Sequence, residues 1–211
     1  MPSRNVVKEF SAEQYYHIYN RGVEKRNIFQ DDQDYVVFLG LLKKYLIGEM
    51  NIQKNRRPSK SFFDRMKLIA YCLMSNHFHL MFYQKDETAI TELMRRISTG
   101  YAMYFNNKYN RVGGLFQGNF KAAHINSDAY LHHISRYIHL NPKDPKSWPY
   151  SSLDYYIGNK KSKWVNPEPV MELFEDNPRE YIEFIDDYVD TKRELNIIKW
   201  QLANNLDAEE L

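Results

Sequence analysis

Two apolar runs, residues 68–74 and 78–83, flank the short polar step Ser75-Asn76, and this spacing constrains the fold more than any other feature. Runs of this length between turn formers suit a pair of antiparallel strands. Upstream, Tyr15-Tyr-His-Ile-Tyr19 stops at Asn20-Arg21-Gly22 and reads as a strand entering a loop. Asp31-Asp32 open a helix with a stripe of Val36, Val37, Leu39, Leu42, Tyr45 and Leu46 that runs to Gly48. A polar, basic loop fills 51–61. A longer helix over about 87–109 carries Leu93, Met94, Ile97, Tyr101 and Tyr104, and Gly113-Gly114 break it. Residues 115–125 suit another strand, Ser127 can cap a further helix, and Pro142 marks its end. This order predicts an α+β fold with helices laid on one face of an antiparallel sheet.

After Trp148 the pattern changes, and 169–174, 178–189 and 191–206 read as three helices. The chain is therefore expected to divide into a domain over 1–150 and a C-terminal helical extension over 151–211. The net charge of +2 conceals a split: +11 over the first 166 residues and −9 from Pro167 onward. A basic body attracts polyanions because each neutralised phosphate releases counterions. The acidic tail can pack on that body or discourage non-specific DNA binding, and both segments can equally be solvated faces. Deleting the chain after about Trp164 is expected to leave DNA affinity unchanged or raised. No apolar run is long enough to span a bilayer, and the N-terminus opens no apolar segment of signal-peptide type. The single cysteine, Cys72, excludes an internal disulfide or a Cys-rich zinc site. A cytoplasmic location without membrane association is expected.

Two constellations can carry chemistry. In Asn76-His77-Phe78-His79 the period of a strand sends both imidazoles to one face and Phe78 into the core. Two neutral imidazoles form half of a metal site, or simply a hydrogen-bonded surface pair. In the stretch His133–Pro142 a spacing of four stacks His133, Tyr137 and Asn141 along one side of a helix. Asn141 can offer its amide oxygen to a metal or serve as a turn residue before Pro142.

Asn76-His-Phe-His79, Gly114-Leu-Phe-Gln-Gly118 with Phe120-Lys121, and Tyr137-Ile-His-Leu-Asn-Pro142 resemble, in order and spacing, the HUH single-tyrosine transposases. The closest resemblance is to REP-associated tyrosine transposases and related insertion-sequence proteins. Tyr16-His-Ile-Tyr-Asn-Arg-Gly22 and Ile28-Phe29 with Asp31-Asp32 also look like this family, so the resemblance spans roughly residues 10–150. It implies a ferredoxin-like fold, with His77 and His79 on a central strand as metal ligands. It further implies Tyr137 as the nucleophile and Asn141 as the third ligand. The chemistry implied is metal-assisted attack on a DNA phosphodiester, giving a 5′-phosphotyrosine and a free 3′-OH that can later rejoin. Mg²⁺ or Mn²⁺ suits the oxygen-rich remainder of such a shell, although imidazoles also accept Zn²⁺. His124 and His133 stand near enough in sequence to assist Tyr137, or to be purely structural.

The implied substrate is single-stranded or hairpin DNA, gripped by cations and aromatic rings. Arg21, Lys25 and Arg26 follow the first strand, and Arg95, Arg96, Lys108, Arg111 and Lys121 lie between the two catalytic motifs. As a set they are candidates for a phosphate-binding surface, and each one singly reads as a solvated charge. The resemblance implies a nucleoid-associated protein of a bacterium or archaeon, as monomer or homodimer. Insertion-sequence relatives exchange catalytic helices between subunits, whereas REP-associated ones can act alone. Two rival functions are a DNA-binding regulator that has lost the chemistry and a nuclease that uses water.

Overall fold

The computed structural model describes residues 9–47 and 61–187, so Gly48, most of the basic 51–61 loop and the helix expected over 191–206 lie outside the described residues. Four antiparallel strands, β1 (Gln14–Arg21), β2 (Met66–Met74), β3 (His77–Gln84) and β4 (Lys121–Ile125), form one sheet in the order β2-β3-β1-β4. Helix α1 (Asp32–Leu46) joins β1 to β2, and α2 (Ala89–Lys108) joins β3 to β4. This is ferredoxin-like connectivity. Helix α1 starts where the paired aspartates predict: Asp31 accepts from the Asp34 N–H at 3.1 Å, and Asp34 accepts in return from the Asp31 N–H. The strand expected over 115–125 is regular only from Lys121, with an isolated bridge pairing Phe116 to Gly22.

Period-two alternation sorts the strand side chains into two layers. Tyr16 and Ile18 of β1, and Phe78, Leu80 and Phe82 of β3, pack with α1 and α2 in one core. Met81 joins a second core on the other face, formed with α3 (Asp128–His139). Helices therefore cover both faces rather than one. The cause is α3: after β4 the chain crosses to the uncovered side, with Ser127 capping the helix by accepting from the Tyr130 N–H. A bulge in β2 between Leu68 and Ala70 inserts Ile69, which feeds the second core.

Residues 151–187 complete this second layer. Helices α4 (Leu153–Tyr156), α5 (Glu168–Met171) and α6 (Pro178–Asp186) contribute Leu153, Tyr156, Val170, Met171, Tyr181 and Ile185, all buried with α3. The acidic residues occupy the outward side of this layer; Glu168, Glu172, Glu180, Glu183 and Asp186 are exposed. Fully burying one such apolar side chain is worth about 1.5–3 kcal/mol. Removing everything after Trp164 would thus open the layer behind α3, and the expected indifference to that deletion does not fit this packing. The segment also runs beside the outer edge of β2, with backbone bonds from Leu73 N–H to Tyr150 O, Ser152 N–H to Tyr71 O and Asn166 N–H to Leu68 O. A buried polar chain fastens α3 to it. His139 lies 2.7 Å from both Tyr181 Oη (through Nδ1) and Ser152 Oγ (through Nε2), and Tyr181 donates to Ser135 Oγ at 3.1 Å. Among the described residues no helix is long and apolar enough to cross a membrane.

Candidate active site

The motifs separated in sequence meet at one end of the sheet. The Gly22 N–H donates to Asn76 O at 2.9 Å, joining the end of β1 to the β2–β3 turn. A side chain at Gly22 would collide with Arg26 O, since its Cβ would lie 2.2 Å away. The 114–118 segment is tied to the same place: Val23 N–H donates to Leu115 O, Gln117 N–H to Arg21 O, and Asn20 Nδ2 to Gly118 O.

His77 and His79 project from β3 toward α3, as their spacing predicts, while Phe78 enters the opposite core. The two imidazole centroids are 5.1 Å apart. Tyr137, on the last turns of α3, sets its ring edge-on to His79 at 5.3 Å. Asn141, just past the helix, donates from Nδ2 to Tyr137 O at 2.8 Å and brings Oδ1 to 3.4 Å from His77 Nε2. The structure therefore brings together all four residues singled out by the two motifs.

Two further side chains complete the cluster and have no counterpart in the sequence reading of the site. His17 Nε2 lies 2.8 Å from His79 Nδ1, with the rings stacked at 5.0 Å. Tyr19 faces both His17 and His79, at 5.2 and 5.9 Å. Both come from β1, whose register places Tyr19 opposite His79 and His17 one pair along. The signal was the two-residue spacing of His17 and Tyr19 on a strand, but without knowing which strand lies next to β3 it points nowhere.

Burial controls the charge state here. It holds His79 well below the ordinary histidine value, with His17 and His77 adding to the effect, and it lowers His17 to about 3. Burial also lowers His77; the Asn141 side chain opposes this and the Arg21 charge reinforces it. All three rings are therefore neutral at neutral pH, the form in which imidazole binds a metal. The Tyr137 phenol is raised by burial and partly brought back by a hydrogen bond with Asn141. Tyr19 is pushed to about 12 by burial and by the neighbouring Tyr137. Cys72 sits opposite His79 in β2, but burial pushes its thiol up and keeps it protonated. Among the described residues no three His, Cys, Asp or Glu side chains are grouped to hold a metal. The set that fits one is the two imidazoles with the Asn141 amide oxygen, all neutral donors.

The remaining candidates divide. His124 faces the α1–α2 side, opposite Tyr16, where Nε2 is 2.9 Å from Gln14 Oε1. It is on the wrong face of the sheet to assist Tyr137, which corrects that expectation. His133 lies one turn before Tyr137, with Nδ1 3.1 Å from Arg136 Nη2 and its ring 6.3 Å from Phe184 of α6. Arg21 stands opposite His77 and Lys121 opposite Tyr19, so both exposed cations flank the cluster on its own face; Arg21 Nε also donates to Gln117 Oε1. Lys25 and Arg26 lie in the turn after β1, and Arg26 and Arg111 line one shallow cavity with Gln30 and Phe105. Arg95 and Arg96 line a separate groove along α2. Lys108 is neutralised by Asp31 at 2.7 Å and the buried Asp34 at 2.8 Å, so it is not a free phosphate contact.

Residues 59–141 match the family model described as transposase IS200 like. The fold is similar to the solved structure of a REP-associated tyrosine transposase bound to a REP hairpin, at 16% identity and a TM-score of 0.53, covering 78% of this chain and 92% of that one. A candidate transposase from Deinococcus radiodurans is similar at 12% identity and a TM-score of 0.37, over 62% of this chain and 90% of that chain. No curated protein matches. The match to the IS200-like transposase model thus falls within a four-stranded α+β fold, in agreement with the resemblance carried by the motifs.

Proposed function

We propose that this IS200-like transposase domain cuts and rejoins single-stranded or hairpin DNA, with Tyr137 as nucleophile. The observation that carries the reading is the convergence of Tyr137 and Asn141 from α3 on His77 and His79 from β3. The Tyr137 oxygen forms a bond to phosphorus while the bond from phosphorus to the 3′ oxygen breaks. The phenol loses a proton and the departing 3′ oxygen gains one, so the products are a 5′-phosphotyrosine and a 3′-OH. The reverse step rejoins a strand without an external energy source.

His77, His79 and Asn141 would hold Mg²⁺ or Mn²⁺, which when bound supplies charge neutralisation at a phosphate oxygen and polarises phosphorus. The chain's own contribution is orientation. Asn141 is tied to the backbone of the helix turn that presents Tyr137, and the surrounding rings keep the phenol buried and neutral until it reacts. Arg21 and Lys121, on the same face, are suited to receive the DNA backbone on either side. The REP hairpin in the similar structure supports a folded single strand as substrate.

The test uses a single-stranded hairpin labelled on the 3′ side of the cut, with Mg²⁺. Covalent transfer of label to the protein, mapped to Tyr137 and absent from Tyr137→Phe, is the expected result. An adduct on Tyr19, whose phenol lies beside Tyr137, would overturn the nucleophile while leaving the class. Normal cleavage by Tyr137→Phe with no adduct would overturn the class in favour of hydrolysis by water.

A further inference from the structure

We infer that His17 is a positioning residue for the metal: it accepts the Nδ1 proton of His79 and so leaves the Nε2 lone pair of His79 free for the ion. The inference rests on the metal-assisted reading above and adds a residue to it. His17 and His79 are both buried, 2.8 Å apart, and each ring carries a single proton, so one nitrogen of the contact donates and the other accepts. If His17 donates, the only proton of His79 sits on Nε2 and that ring cannot ligate through it. If His79 donates, its Nε2 is bare. No change of net charge distinguishes the two arrangements, and a bound ion selects the second. Metal-binding histidines generally donate their other ring N–H to a fixed acceptor, which sets tautomer and orientation together.

The geometry makes His17 suited to that task. Tyr19 lies against both rings in a nearly parallel arrangement, and Tyr137 meets both edge-on at 5.9 and 5.3 Å, which restricts ring rotation. Backbone pairing of β1 with β3 fixes the separation. In this arrangement the proton of His17 sits on Nδ1, which is buried with no protein partner, so the contact with His79 is what orients the ring.

The experiment compares full-length wild type, His17→Leu and His17→Gln. Leucine fills the space without an acceptor; glutamine can place an amide oxygen close to where the imidazole Nε2 stands. Mn²⁺ affinity, read by the electron-spin signal of free ion, is expected to fall roughly 10–100-fold in His17→Leu, a range usual for such supporting groups, and to recover in His17→Gln. Cleavage by His17→Leu should return when Mn²⁺ is raised, while hairpin binding in chelator stays at the wild-type level. Nitrogen-15 spectra of wild type saturated with Mg²⁺ should show the His79 proton on Nδ1. This reading decides the matter if His17→Leu does not fold. Wild-type Mn²⁺ affinity in a folded His17→Leu, no recovery in His17→Gln, or a proton on His79 Nε2 with Mg²⁺ bound would each overturn the role of His17 alone. A wild type that cuts DNA but binds no Mn²⁺ would overturn the metal assignment and this inference together, and one that neither cuts nor binds would overturn the proposed function as well.

Discussion

The two faces of the sheet are made from the same strands and put burial to opposite uses. On the α1–α2 side, Phe78, Leu80 and Phe82 meet a continuous apolar and aromatic layer, and removal from water is the whole of their role. On the α3 side the neighbours in sequence, His77 and His79, are also shielded from solvent, but there burial fixes protonation and shortens the list of partners. One residue of shift along β3 exchanges a stabilising position for a chemical one. The difference teaches that the first face tolerates changes judged by volume, and the second only changes judged by atoms.

Adjacent substitutions should break that comparison most sharply. His79→Ala is expected to reduce strand cleavage below detection while hairpin affinity, dominated by phosphate contacts, changes little. Leu80→Ala should do the reverse, lowering unfolding free energy by about 2–5 kcal/mol while the folded fraction still cuts. Cleavage assays paired with urea unfolding read both, and equal loss of activity per folded molecule would erase the distinction between faces.

Acid should sharpen it, because buried neutral histidines lie only on the α3 side. His17 and His139 are both lowered to about 3 by burial, from an ordinary 6.5. The unfolded chain therefore binds more protons than the folded one below pH 6.5, and stability is present above that value and lost as pH falls toward 3. At pH 5 the loss is about 2 kcal/mol for each histidine. Unfolding free energies at pH 7 and pH 5 test this, and a His17→Gln/His139→Gln protein should show a flatter profile.

A smaller effect is expected from Tyr181→Phe. It keeps the ring but leaves His139 Nδ1 and Ser135 Oγ without that partner, at a cost of about 1–3 kcal/mol in unfolding free energy. Smallest is the response to single cations. Arg21→Ala or Lys121→Ala should each lower the slope of log affinity against log salt by about 1. Lys108→Ala, whose charge is already neutralised by Asp31 and Asp34, should leave the slope alone.

The alternation that separates the faces was legible in the sequence because it is local. The two runs around Ser75-Asn76, the Asp31 cap and the Ser127 cap each act within a few residues, and all appear where expected. His77, His79, Tyr137 and Asn141 could be selected because each pair sits within one motif. His17 could not, since its partner is 62 residues away and is chosen by strand order. His124 was misjudged by a single step of the pleat, which carries it through the sheet to Gln14. Lys108 looked like one cation among many because its aspartates lie on another helix. The acidic extension read as an addition because its charge is on display, whereas Val170, Met171 and Tyr181, the residues that lodge it behind α3, are scattered between the charges.

The strip of chain beside β2 has a consequence for solubility. Strand β2 contains the uncharged, proline-free stretch Leu68-Ile-Ala-Tyr-Cys-Leu-Met74, the type of segment that recruits further strands when its edge is bare. Ser151 and Val165 bridge to it and occupy part of its outward hydrogen-bonding row. At the opposite margin, β4 is only five residues long and opens with the exposed charge of Lys121. Two molecules of this protein therefore meet with one sheet margin shielded and the other short and charged, and the segment that closes the second core also guards the chain against stacking into aggregates.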